Sequence, residues 1–553
     1  MARKIIIVGG SLSGAAVAAR IRSLDSQAEI VLLEKSVSMA YAGTAWPGLL
    51  QDDTSTPLGQ QTLSAEDFQR QYRVDVRANS EVTAIHRLRR QVEIRSSSDL
   101  QAKPYKEKYD YLVLATGYAT QRPPTFTEAI DGTFTIKSPN DILQIRSWLQ
   151  RPSVRSAVIV GGSPAGLQAA LALRMRGLDV VLAEKNNHVL SMLDPDMARL
   201  VEKSIIQQGI QLQLSRQVIR VSRQDGRLFV QFADQSSLTA DMVIVAFGNK
   251  PDTGLAVKAG LKTGHFGCLS VTAGGQTSDK RIYAAGALVS SAEMITGQPI
   301  WLNSAAAVIS QARQAADHLC GRHSSPRSVL AITHLTVGGL EAGIAGASES
   351  DLLNARIDYS RTYSIIPGND DQPYLAVKFL WARQSRQLLG VQMAGSSALM
   401  DKLAVVSLAI QSRQNITDLG RYDMPADSQQ PGRRHWLTLA GQLAQNQLDG
   451  LCQDFSIYDL AALDTSRVIL LDVRSREDFR HGTIPGSISL PLPDLVTGLQ
   501  AGRIDLEPEK PVYIFSDTGR QGYMAARALK LAGRANVFNL AGGYWLYSRV
   551  VKG

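Results

Sequence analysis

Cysteine is scarce in this chain: Cys268, Cys320 and Cys452 are the only three among 553 residues. They form no C-x-x-C pair and no metal-ligand spacing, so a disulfide framework and a metal site are both excluded. Each is read as a small apolar residue in a core or a linker. Apolar runs of membrane-crossing length are missing as well, so no spanning helix and no membrane partner are expected. Met1-Ala-Arg-Lys4 leads directly into Ile5-Ile-Ile-Val8. That leaves no room for a signal peptide and points to a cytoplasmic protein. Nucleic-acid motifs are also lacking. The net charge is +9, yet the basic residues are scattered, densest between Arg70 and Arg95. A solvated basic surface is expected there, with a phosphate-bearing small molecule as the alternative partner and no nucleic acid.

What is present is an internal repeat. Ile5–Glu34 reads IIIVGGSLSGAAVAARIRSLDSQAEIVLLE, and Ala157–Glu184 reads AVIVGGSPAGLQAALALRMRGLDVVLAE. Each copy runs apolar strand, Gly-rich turn, helix-like stretch, and a second apolar strand ending in Glu. That is the βαβ unit of a nucleotide-binding domain, present twice. In the first turn, Gly9-Gly10-Ser11-Leu12-Ser13-Gly14, Gly9 permits the tight bend and Gly14 the close helix–strand contact. Ser11 stands where the pattern has its second glycine. N–H groups at the helix start then face a pyrophosphate. Glu34 has the spacing of an acid that accepts hydrogen bonds from ribose hydroxyls. The second turn, Gly161-Gly162-Ser163-Pro164-Ala165-Gly166 with Glu184, is read as the nicotinamide cofactor site. Glu184 would repel a 2′-phosphate and so selects NADH, while Lys185 beside it leaves NADPH open.

Three further strands run into turns in the same way. They are Tyr109 to Ala115-Thr116-Gly117, Asp241 to Gly248 with Pro251 after it, and Arg281-Ile-Tyr-Ala-Ala-Gly286. In this order the motifs resemble those of the pyridine nucleotide–disulfide oxidoreductases. The similarity is greatest to the coenzyme A-disulfide reductases, persulfide reductases included, that carry a C-terminal rhodanese domain. Leu389-Gly-Val-Gln-Met-Ala-Gly395 and Ala440-Gly-Gln-Leu-Ala-Gln-Asn446 resemble the family's dimerisation segment.

The resemblance implies an α/β protein with two Rossmann-like three-layer nucleotide-binding domains, an α+β dimerisation domain and a rhodanese-like α/β domain. The FAD-binding domain is expected at 1–150 and 245–325, with the NAD(P)H-binding domain at 151–244 between its parts. The dimerisation domain is expected at 326–447 and the rhodanese-like domain at 455–553. FAD, NADH (or NADPH), a homodimer and a coenzyme A-type ligand are the implied cofactors and partners. Gly9, Gly10, Ser11, Gly14, Glu34, Ala115, Thr116, Gly117, Gly286 and Ala287 are assigned to FAD. Gly161, Gly162, Ser163, Gly166, Glu184 and Gly248 are assigned to NAD(P)H.

The departures from the family are chemical. Its redox cysteine aligns with Ala42 in Ser38-Met-Ala-Tyr-Ala42. A methyl group forms neither a mixed disulfide nor a thiolate–flavin pair, and the retained Ser38 hydroxyl cannot substitute in thiol exchange. The carboxylate that holds the flavin's ribityl chain aligns with Ala287. The paired tyrosines before Pro-Gly are Ile365 and Ile366.

In the C-terminal part, Leu471-Asp-Val-Arg474, Glu477, Gly482-Thr-Ile-Pro-Gly486 and Asn539-Leu-Ala-Gly-Gly543 resemble a rhodanese domain. The loop that should hold its cysteine is Ser516-Asp517-Thr518-Gly519-Arg520-Gln521, with the arginine one place early. A serine cannot carry transferable sulfur. Oxyanion binding by the loop is left open, with Arg520 nearby and Asp517 opposing by like charge, and a docking or purely structural domain is the stronger reading.

Three functional readings follow. The first is an oxidoreductase that takes hydride from NAD(P)H and delivers electrons to an unidentified non-thiol acceptor such as oxygen or a quinone. The second is a catalytically silent cofactor-binding or sensing protein of the same fold. The third is a disulfide or persulfide reductase whose cysteines have been replaced in this sequence; the change at Ala287 argues against it.

Overall fold

The computed structural model describes residues 2–39, 47–51, 64–99, 101–121, 130–246, 248–323, 325, 328–366, 374–395, 398–425, 435–504, 506–507 and 509–551. The chain divides into two units, one of residues 1–190 and 208–331, the other of 191–207 and 332–553.

In the first unit the strand Lys4–Val8 is central to a five-stranded parallel sheet. Its neighbours are Glu29–Leu33 and Tyr111–Leu114, with Asp75–Arg77 and Ile282–Ala284 outside them. Parallel strands covered on both faces must be apolar on both. Accordingly Ile5 and Ile7 enter one core with Val17, Ile21, Ala312 and Ala316, and Ile6 and Val8 enter the other with Val82, Ile94 and Leu288. The first core is closed by the helices Leu12–Leu24 and Ala305–Leu319. Alanines on both let the helices approach closely, and Arg20 pairs with Asp317 at 2.6 Å.

A second five-stranded parallel sheet repeats the plan around Ser156–Val160, flanked by Asp179–Ala183 and Met242–Val245. Its outer strands are Gln211–Gln213 and Thr133–Thr135. The last of these lies ahead of residue 150, so the second sheet draws on chain from before the boundary expected from the sequence. The register repeats too: Lys4 to Val8 pair with Glu29 to Leu33, as Ser156 to Val160 pair with Asp179 to Ala183.

The second unit holds a five-stranded antiparallel sheet in the order Ile332–Val337, Leu340–Gly346, Leu388–Gly395, Leu375–Ala382 and Tyr359–Ile366. The helix Pro195–Gln207 belongs with it rather than with the nucleotide domain in which the sequence placed it. The helix buries Met197, Leu200, Val201 and Ile205, and charges at its start are paired inside the same unit. Lys378, fully buried on the sheet, pairs with Asp194 (2.9 Å) and Asp196 (3.0 Å) at the helix start and with Glu349 (2.5 Å). Tyr363 donates its O–H to Asp196. A charge buried this deeply persists only when its partners are buried with it.

The C-terminal part of this unit is a parallel sheet in the order Gln453–Phe455, Val537–Leu540, Val512–Phe515, Ile469–Asp472 and Ile488–Ser489. Among the described residues no helix is long and apolar enough to cross a membrane, and no group of three or more His, Cys, Asp or Glu side chains is placed to hold a metal.

Candidate functional site

The two Gly-rich turns have the same backbone design. Gly9 and Gly161 sit at φ +104° and +115°, a region closed to side chains. A Cβ on Gly14 would stand 1.8 Å from the Gly9 carbonyl oxygen, and one on Gly166 2.1 Å from that of Gly161. Glycine is therefore the only residue that lets each helix start this close to its strand. Gly10 N–H donates to Glu34 Oε2 at 2.6 Å, and Gly162 N–H donates to Glu184 Oε2 at 2.6 Å. Both carboxylates are buried. Their second oxygens accept from the chain two residues on, Ser36 N–H at 2.8 Å and Asn186 N–H at 2.9 Å.

The first turn opens on a cavity of about 530 Å³, within the range of small-molecule sites. Gly9, Ser11, Glu34, Ala115, Thr116, Gly117 and Ala287 line it, as do Val8, Ser13 and Asn303. Gly10, Gly14 and Gly286 stand behind that lining and set the backbone. Thr116 Oγ1 donates to the Asp252 carbonyl at 2.8 Å, fixing one wall. Trp301 Nε1 donates to the Ala287 carbonyl at 2.9 Å, fixing another.

Sequence reasoning missed several lining residues, among them Lys35, Ser80 to Thr83, and Lys137. Lys137 precedes a capping box, in which Ser138 and Asp141 satisfy each other's N–H groups at the start of the helix Pro139–Leu149. The S-x-x-D pattern is readable in the sequence; the direction of the lysine before it is not. Its ammonium lies 5.1 Å from the centre of the Tyr118 ring. Burial, with Lys35 adding to it, lowers the Lys137 pKa from its ordinary value, and Asp252, Asp141 and Glu34 offset part of that. An ammonium held in such a place calls for an anion.

These residues fit FAD. The helix-start N–H groups and Lys137 suit its pyrophosphate, and Glu34 suits a ribose. Ser13 Oγ, buried and without a hydrogen-bond partner, is a polar atom left for a ligand.

The second turn is more self-contained. Ser163 Oγ donates to the Ala246 carbonyl at 2.7 Å and accepts from Gly166 N–H at 3.2 Å. Val189 packs over Gly162, where an added Cβ would meet it at 2.9 Å. Gly248, at φ +158°, accepts from Gln121 N–H at 2.9 Å.

Ala42 lies outside the described residues. Ser38 is half-buried, and its carbonyl accepts from Ser36 Oγ at 2.8 Å. None of the three thiols lines the first cavity. Burial pushes the Cys268 thiol up to about 11 and raises Cys320 and Cys452 as well, away from the reactive thiolate.

In the C-terminal domain Ser516 follows the strand Val512–Phe515 and is buried. Its Oγ accepts from Gly519 N–H at 3.1 Å, ahead of the helix Arg520–Leu531. A second guanidinium, that of Arg474, also acts on this loop. It donates to Asp472 at 2.7 Å and lies 3.9 Å from the centre of the Tyr544 ring. Asp517 is exposed at its surface, and the neighbouring protein raises its carboxyl only by partial desolvation, with Arg474 opposing. Arg520 itself is exposed.

Comparison with known proteins gives the family and the fold. Residues 3–317 match the family described as pyridine nucleotide-disulphide oxidoreductase, and residues 459–549 match the rhodanese-like domain. An NADH oxidase of Methanocaldococcus jannaschii is 27% identical over 428 residues, 76% of this chain and 94% of that one. The crystal structure of reduced Bacillus anthracis CoADR-RHD superposes with a TM-score of 0.92 at 27% identity, covering 100% of this chain and 99% of the other. An NAD-dependent persulfide reductase from A. fulgidus gives 0.89 at 26% identity, covering 98% and 100%.

Proposed function

The chain belongs to the pyridine nucleotide-disulphide oxidoreductase family, and on that premise we propose that it is an FAD-dependent NAD(P)H oxidoreductase that delivers its electrons to a non-thiol acceptor. The observation that carries this reading is the first cavity, which presents nucleotide-binding groups and no thiol among its lining residues. When bound there, FAD supplies hydride acceptance and onward electron transfer.

The chain's own residues bind and orient. N–H groups at the start of the helix Leu12–Leu24 hold the pyrophosphate, with Lys137 as counter-charge. Glu34, fixed by Gly10 and Ser36, presents the remaining lone pair of Oε2 to a ribose. In the second turn Glu184 does the same for the nicotinamide cofactor and selects NADH by repelling a 2′-phosphate. At the family's cysteine position Ala42 supplies no nucleophile, and the C-terminal loop offers Ser516 in place of a sulfur carrier. Disulfide reduction and sulfur transfer are accordingly outside this proposal. The same reading has the chain act as a homodimer. Met400, Val405 and Leu408, exposed on the helix Leu399–Gln411, are apolar surface available to a second copy.

Anaerobic addition of NADH, and separately NADPH, to the FAD-loaded protein tests this. Bleaching of the visible flavin band, greater with NADH, is the expected result. The parent is also expected to release no thiol from coenzyme A disulfide, A42C being the variant that supplies the missing nucleophile. The competing reading is a cofactor-binding protein without turnover, favoured by chemical loss at three separate positions: Ala42, Ala287 and Ser516. A flavin that binds and does not bleach with either nucleotide would establish it.

A further inference from the structure

The edge strand Ile282–Ala284 of the first sheet runs into Ala285-Gly286-Ala287, and Ala287 faces the cavity with a methyl group where the family resemblance calls for a carboxylate. Directly against that strand end lies Ser13, in the first turn of the helix Leu12–Leu24. A Cβ on Gly286 would stand 2.5 Å from Ser13 Oγ and 2.7 Å from Ser13 Cβ. Ser13 is 3% exposed, lines the cavity, and its hydroxyl has no partner. Unpaired buried hydroxyls are unfavourable and rare, and one at the edge of a ligand cavity is explained by a ligand that satisfies it.

The second turn shows that the backbone does not require a hydroxyl at this place. Counting from the first glycine of each turn, Ser13 corresponds to Ala165. That turn forms the same Gly–Glu bond and the same helix–strand contact without it. Ser13 is therefore surplus to the fold, and it is adjacent to the one position in the cavity where a charge is missing.

We propose that Ser13 takes over the role of the absent carboxylate, its hydroxyl hydrogen-bonding the ribityl–pyrophosphate stretch of FAD. A carboxylate can only accept hydrogen bonds, whereas a hydroxyl donates and accepts, so Ser13 serves either a ribityl O–H or a phosphate oxygen. The proposal rests on reading the first turn as the FAD site, and Ser13 is a cofactor-positioning residue in it.

The test compares the full-length parent, S13A, A287D and the double variant S13A/A287D by FAD titration of the apoprotein, followed by flavin fluorescence, and by apoprotein thermal unfolding. S13A is expected to weaken FAD binding about tenfold. Its apoprotein melting temperature should be unchanged or higher, because an unpaired hydroxyl has been removed. With the carboxylate restored by A287D, adding S13A should weaken binding less than about threefold, since the two groups serve one role.

Equal FAD affinity in S13A and parent overturns the proposal. A fall in S13A apoprotein stability parallel to the loss of affinity also overturns it, because that marks a structural hydroxyl. A parent that takes up no FAD removes the site reading and the proposal together. A parent that binds FAD while S13A binds it equally removes the role of Ser13 alone.

Discussion

The two Gly-rich turns of the first unit share backbone, register and acid, and they differ in how their side-chain polar groups are spent. In the second, Ser163 accepts from Gly166 within the turn and donates to Ala246 of the neighbouring strand end, Pro164 fixes the first helical residue, and Val189 covers Gly162. In the first, the helix-start residue Ser11 makes no side-chain cap, Ser13 Oγ is unpaired, and the Lys137 ammonium faces a cavity. The second turn is complete when empty. The first is complete only when filled. A site with unspent buried groups gains stability from its ligand, which suits a prosthetic group held through every turnover. A site with nothing outstanding loses little when its ligand leaves, which suits a co-substrate that must exchange.

The largest effect should come from breaking each turn in the same way. G14A places a Cβ against the Gly9 carbonyl, and G166A places one against that of Gly161. Backbone cannot yield as a side chain does, so each should cost about 3 kcal/mol. The consequences diverge. G14A is expected to purify without a visible flavin band, whereas G166A keeps the band and loses its bleaching by NADH. Absorbance spectra of the two proteins, before and after anaerobic NADH, check this, and loss of flavin from G166A would show that the turns are not independent.

Lys137 gives the next largest effect and opposite pH signs for two measurements. Its pKa in the apoprotein lies below the ordinary 10.5, mainly through burial. Between those values the unfolded chain binds more protons than the folded one, so apoprotein stability rises with pH. The charged form is the one that meets the pyrophosphate, so FAD affinity falls as pH rises through the lowered pKa. K137M should weaken FAD roughly ten- to a hundredfold, as for loss of a charged hydrogen bond, and flatten both pH dependences. Parallel titrations of FAD affinity and melting temperature from neutral to alkaline pH read this out. Two curves moving in the same direction would place the lysine outside the site.

The residues behind these two predictions differ in how far the sequence revealed them. Gly14 and Gly166 were legible because a turn, its helix and the acid ending the next strand are local, and their spacing repeats. Lys137, in the short link between the strand Thr133–Thr135 and the helix Pro139–Leu149, and Ser80 to Thr83, opening the strand Ser80–His86, meet the first turn only through tertiary folding, which no local period marks. Ser13 was visible as a residue but not as an orphan, since only the approach of Gly286 shows that nothing in the fold pairs with it. The strand Thr133–Thr135 is too short to show alternation. Likewise the attachment of the helix Pro195–Gln207 to Lys378 depends on charges nearly two hundred residues apart, which no window in the sequence contains. Arg520 is next to the C-terminal loop in sequence; folding adds Arg474, which no local pattern reveals, because it is anchored on Asp472 at the end of the strand Ile469–Asp472.

The smallest effect is the sharpest probe of the comparison, because it tests the turns with nothing bound. S163A removes an N-cap and the bond to the Ala246 carbonyl, and should destabilise the apoprotein by about 1 kcal/mol. S11A removes a side chain that makes no cap, and should leave apoprotein stability within about 0.5 kcal/mol of the parent. With FAD added the order should change. S11A, in the lining of the first cavity, should lose part of the stabilisation that FAD confers. S163A should gain as much from FAD as the parent does. Melting temperatures of the three proteins with and without FAD decide the matter. If S11A proves as costly as S163A in the apoprotein, the first turn is self-satisfied after all, and the distinction between a turn built to be filled and one built to be left empty falls.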